Sequence, residues 1–101
     1  MIASFGDEAT ADLFHGNVSA RVRRFSADIR SRAVRKLDLL NATADVMDLR
    51  APPANRLEKL GGSLAGLWSI RVNDQWRIIF RWNVGSALDA RTDRLPLEEK
   101  A

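Results

Sequence analysis

The order of elements along this chain predicts an α+β domain, with helices packed on one face of a short antiparallel β-sheet. Two runs of strict alternation between residues 68 and 82 give a hairpin. An apolar stripe at helical spacing, between residues 29 and 40, gives the layer that covers it. A chain of 101 residues allows one domain built around one core.

In chain order, Met1 to Phe5 is short and apolar and reads as a first strand. Asp7 can cap a short helix in which Ala11, Leu13 and Phe14 face inward, with Gly16 ending it. Ser26 is the next capping residue. After it, Ile29, Ala33, Leu37 and Leu40 recur on one helical face. Arg30, Arg32, Arg35 and Lys36 fall off that stripe, toward solvent or a partner. Asn41-Ala42-Thr43 breaks the pattern, and a helical turn from Asp45 to Leu49 stops before Pro52-Pro53. Gly61-Gly62 marks a turn, where the period changes from helical to alternating.

Cross-strand partners share a face, so the register of the hairpin follows from which side chains must meet. A two-residue loop at Asn73-Asp74 would pair Ile70 with Arg77 and mix the two faces. A three-residue loop, Asn73-Asp74-Gln75, pairs Val72 with Trp76, Ile70 with Ile78 and Trp68 with Phe80, giving one apolar face. Arg71 then stands opposite Arg77, with Ser69, Ile79 and Arg81 beside them on the other side. Like charges placed directly opposite are unfavourable, and an anion bound there would relieve them. Arginine stems covering a wet sheet face is the plainer reading.

Composition narrows the function classes. Apolar residues are 46% of the chain, too many for a disordered segment, and no apolar run could span a bilayer. There is no cysteine, which excludes disulfides and thiolate chemistry and fits the cytoplasm. The amino-terminal residues lack the basic and apolar regions of a secretion leader. The net charge is +3, and seven basic residues fall between Arg21 and Lys36 against one acid, Asp28. Such a stretch suits RNA, an acidic protein or plain solvation.

Three stretches together carry a resemblance. They are Met1 to Phe5, then Pro52-Pro53-Ala54-Asn55-Arg56-Leu57-Glu58-Lys59-Leu60, then the run from Trp68 through Arg71, Asn73, Asp74, Trp76, Arg77, Phe80 and Arg81 to Trp82. This pattern resembles the HigB-like branch of the RelE superfamily, the plasmid maintenance system killer proteins. The resemblance covers 1–82 of a single 1–101 domain and leaves 83–101 as a divergent carboxyl segment. It implies a metal-independent, cofactor-free endoribonuclease that cuts mRNA on the ribosome and is held inactive by a cognate HigA-like helix-turn-helix antitoxin. In that chemistry a ribose 2′-hydroxyl attacks the adjacent phosphate while basic side chains stabilise the growing charge.

Carried over by position, Arg77 matches the family's phosphate-stabilising arginine, and Arg71 and Arg81 match its basic RNA-binding positions. Relatives read Leu-Lys-Gly-Asp-Arg-x-Gly where this chain reads Leu60-Gly61-Gly62-Ser63-Leu64-Ala65-Gly66, so Gly61 and Leu64 replace two cations. Lys59, as a catalytic cation, and Arg56, as an RNA-binding one, are the nearest candidates for that space. The family's terminal Tyr-His pair is absent, for the chain has no tyrosine. The single histidine, His15, reads as a helix-end surface residue. The stretch after Ala90 has weak strand character and predicts a short helix or a disordered end. The alternative to an active nuclease is therefore a degenerate, non-catalytic toxin-fold module that binds an antitoxin or RNA.

Overall fold

The computed structural model describes residues 1–96. Helix α1 is Glu8–His15, with the Asp7 carboxylate accepting from the Thr10 amide at 2.8 Å and Gly16 closing it in the left-handed region. Its buried side chains are Ala9, Thr10 and Leu13, while Ala11 and Phe14 are only half-buried, a turn of the inward face relative to expectation. A short helix α2, Ala20–Arg23, is capped by Ser19. Helix α3, Ala27–Ala42, starts at the expected cap Ser26 and buries Ile29, Ala33, Leu37 and Leu40. A 3-10 turn at Val46–Arg50 and another at Pro53–Asn55 lead into the sheet.

The sheet is antiparallel throughout, in the order β1 (Glu58–Lys59), β2 (Trp68–Arg71), β3 (Trp76–Asn83), β4 (Ser86–Arg94). Pairing of Trp68 with Phe80, Ile70 with Ile78 and Arg71 with Arg77 is the register deduced from the alternation. Val72 donates its N–H to Trp76 O at 2.9 Å, which closes the Asn73-Asp74-Gln75 loop. The apolar face thus formed packs under the helices, where Leu37, Leu40, Leu49, Ile70, Ile78 and Phe80 share one buried cluster.

Two expectations change. The stretch after Ala90 is neither helix nor a disordered end through Arg94: it completes β4, the longest strand of the sheet, and only 97–101 lie outside the described residues. Pairing holds this strand on both edges. On one side it bonds to β3. On the other, Met1 to Gly6 runs beside it in parallel, through Ala3 N–H to Ala87 O and Gly6 N–H to Ala90 O, each 2.8 Å. That first segment is two isolated bridges, Ile2 to Ala87 and Phe5 to Ala90, and not the continuous strand expected. The interruption has a cause in β4. Between the pairs Ile79–Arg91 and Arg81–Leu88, two residues, Asp89 and Ala90, face the single residue Phe80, and Asp89 takes φ 54°. This is a β-bulge, which bends the strand and re-aims its side chains.

Candidate functional site

The outer face of the sheet carries the predicted arginines, but in three different states. Arg77 is buried, at 3% exposure, and its Nε donates to Asp93 Oδ2 at 2.9 Å. Asp93 pairs directly across from Arg77 on β4, so one row of the sheet reads Arg71, Arg77, Asp93. The repulsion between facing arginines is therefore eased by an internal anion from the strand that the sequence did not reveal. Arg77, the position matched to the family's phosphate-stabilising arginine, is thus held within the sheet by Asp93. Arg81 is exposed and stands 3.4 Å from Asp89, beside Gly6, Leu67 and Arg91. Gly6 is required there, since a Cβ would lie 2.7 Å from Asp89 O.

Arg71 is half-buried, and its Nε is shielded from water with no hydrogen-bond partner among the described residues. A buried N–H of a guanidinium without an acceptor is costly, and calls for an anion or water. Arg71 lines an open hollow with Arg56, Leu57 and Glu58. Arg56 reaches it from a tight turn at φ 44°, and its N–H donates to Pro53 O at 3.0 Å. Glu58 pairs with Ser69 in the register, which puts it on the same outer face as Arg71. The structure thus brings together Arg71, Arg56 and a carboxylate that sequence reasoning passed over. The signal was present, since Glu58 sits inside the Arg-Leu-Glu-Lys stretch on which the resemblance rests.

Lys59 goes elsewhere. It pairs with Trp68, whose face is the helix-covered one, and its ammonium sits 5.4 Å from the centre of the Trp68 ring. It does not join Arg71 and Arg77. Lys36, expected to point to solvent or a partner, instead donates to the Asn55 side-chain oxygen. His15 stacks edge-on against Phe5 and Phe14 at the end of α1, away from the hollow's lining. Among the described residues no group of three or more histidines and carboxylates could hold a metal, and no helix is long and apolar enough to cross a membrane.

Fold and face together define a class: a small α+β domain with helices on one side of its sheet and a cationic hollow on the other. Its backbone is similar to the crystal structure of YafQ from E. coli strain BL21(DE3), with a TM-score of 0.56 over 93% of each chain at 16% identity, a likeness of fold. The chain belongs to the HigB-like toxin family, described as RelE-like toxin of type II toxin-antitoxin system HigB, whose model matches residues 4–94, through the end of β4. It is 47% identical over 73 residues to Toxin HigB-1 of Vibrio cholerae serotype O1, covering 72% of this chain and 77% of that one. It is also 48% identical over 48 residues to an uncharacterized protein of Haemophilus influenzae, covering 48% of each. As a type II toxin it has a protein antitoxin as partner.

Proposed function

We propose that this toxin is a metal-independent endoribonuclease that cleaves mRNA in the ribosome, with the Arg71–Arg56–Glu58 hollow as the place where RNA reacts. The observation that carries this is one solvent-open hollow lined by two guanidinium groups, Arg71 and Arg56, and the carboxylate of Glu58. A phosphate in the hollow is met by the half-buried Arg71 guanidinium, and Arg56 adds a second cation to the same lining. Glu58, the carboxylate in the same lining, is suited to take the proton from a ribose 2′-hydroxyl as it attacks the neighbouring phosphorus; the P–O5′ bond breaks, leaving a 2′,3′-cyclic phosphate and a 5′-hydroxyl protonated from water. The negative charge that builds on the phosphate is then met by fixed guanidinium groups, which need not reorganise. Arg77 acts from beneath, held by Asp93 next to Arg71, and exposed Arg81 extends the cationic surface along the strand.

The antitoxin of this reading is HigA-like, and a groove between the three helices suits an acidic amphipathic segment of it. Leu13, Val18, Val22 and Val34 line the groove with Arg23 and Arg30, and Val18 is 79% exposed. Apolar burial beside charge contacts is how protein partners hold one another.

The test is primer extension on a reporter mRNA after brief induction without antitoxin, comparing wild type with Arg71→Ala. The reading expects new 5′ ends inside the reading frame, dependent on translation and lost in the variant. A folded wild-type protein that arrests nothing and leaves no new ends would instead favour a non-catalytic module in a toxin's fold.

A further inference from the structure

Lys36 is off the apolar stripe of α3, among arginines that face outward, yet its ammonium crosses to the side chain of Asn55 on another element. Asn55 is fully buried. Its Nδ2 donates to Leu49 O at 3.2 Å and to Ala51 O at 3.3 Å, so its oxygen is the end left for the lysine. One amide therefore ties α3 to the 3-10 turn at Val46–Arg50 and to the turn at Pro53–Asn55. The chain leaves Asn55 directly into Arg56, at φ 44°, then Leu57 and Glu58, the three residues that line the hollow with Arg71. Lys36 makes no ion pair among the described residues, and burial pulls its pKa below the ordinary lysine value. Partly desolvating an ammonium to serve a neutral amide costs stability, so packing alone does not explain a lysine here.

We propose that Lys36 is a positioning residue: through Asn55 it fixes the turn that delivers Arg56 and Glu58 to Arg71. Its effect on cleavage rests on reading that hollow as the RNA site, but its effect on the turn does not. Asn55 has to accept once and donate twice, which neither aspartate nor leucine can do. The turn has no regular strand or helix of its own beyond a few residues, so it depends on this tie for a single geometry.

The test uses the full chain with Lys36→Met, which keeps the stem and drops the donor, and Lys36→Arg, which restores one. Amide hydrogen exchange, affinity for a short fluorescein-labelled single-stranded RNA, and cleavage on programmed ribosomes are measured for each. Loss of a charge-assisted bond predicts exchange about tenfold or more faster across residues 51–60 in Lys36→Met, with β3 and β4 unchanged. RNA affinity and cleavage should fall several-fold, and Lys36→Arg should recover much of both. Wild-type exchange at 51–60 in Lys36→Met would overturn the proposal, as would uniform loosening of the whole chain. If the wild type neither binds nor cuts RNA, the nuclease reading fails, and the exchange result alone still decides the role of Lys36.

Discussion

Removing the carboxylate of Asp93 should show how much of this fold depends on the end of β4. Arg77 is 3% exposed and Asp93 33%, and they meet at 2.9 Å. Breaking a fully buried pair from one side costs about 3–5 kcal/mol, and a hydrogen bond to a charged group about 1.5–3 kcal/mol. Asp93 is a third open to water and Arg77 keeps a further interaction, so the lower range applies. We expect Asp93→Ala to cost about 2 kcal/mol, or roughly 8–16 °C in Tm for a domain of this size. Arg77→Met should cost about 1 kcal/mol, because an apolar stem fills the site while Asp93 turns to solvent. The double variant should then cost about 1.5 kcal/mol, well below the sum, since neither charge is stranded. Urea unfolding followed by tryptophan fluorescence reads all four proteins, with Trp76 and Trp82 on β3 reporting directly. A coupling energy within about 0.5 kcal/mol of zero would refute the pairing as the device that holds Arg77.

Other outcomes follow from the same contacts. Gly6→Ala should cost about 1–3 kcal/mol in urea unfolding, because its Cβ would lie 2.7 Å from Asp89 O and the bulge would have to shift. Leu37→Ala, at a fully buried position under the sheet, should cost about 2–5 kcal/mol by the same measurement. The Ser19 hydroxyl, donating to its carboxylate at 2.8 Å, holds Asp12 below the usual carboxylate range. A depressed carboxylate stabilises above its unfolded pKa and loses that contribution as pH falls through the folded one. Asp12→Asn should therefore flatten the acid limb of a Tm-versus-pH curve below about pH 4, while leaving its slope near neutrality unchanged. Val34→Asp should weaken the antitoxin complex about tenfold or more in a titration, without touching cleavage by the free toxin.

The parts of the fold legible in the sequence are those where one period runs without interruption. The stripe Ile29, Ala33, Leu37, Leu40 buries one helical face and the alternation from Trp68 to Trp82 sets the register, although Ser69, Arg77 and Ile79 of the opposite sheet face are buried too. Strand β4 hides its pattern. Its bulge puts both Ala87 and Ala90 in the core, three positions apart, a spacing that suggests a helix. Its residues, Ser-Ala-Leu-Asp-Ala-Arg-Thr-Asp-Arg, are mostly weak strand formers held in place by partners on both edges. With β4 unread, Asp93 was invisible, and with it the ion pair that buries Arg77. The tie from Lys36 to Asn55 joins residues nineteen apart, and no local pattern announces it. Glu58 lies inside the stretch that carries the family resemblance, but a strand of two residues has no alternation to show which way it faces.

The most direct test of the reacting hollow is single-turnover cleavage on purified programmed ribosomes, comparing wild type with Glu58→Gln. Glu58 is exposed, so the substitution should leave the fold and the affinity for the ribosome unchanged. Losing a proton acceptor should slow cleavage by about 10²–10⁴-fold. Cleavage by Glu58→Gln at the wild-type rate would contradict the assignment of the Arg71–Arg56–Glu58 hollow as the place where RNA is cut.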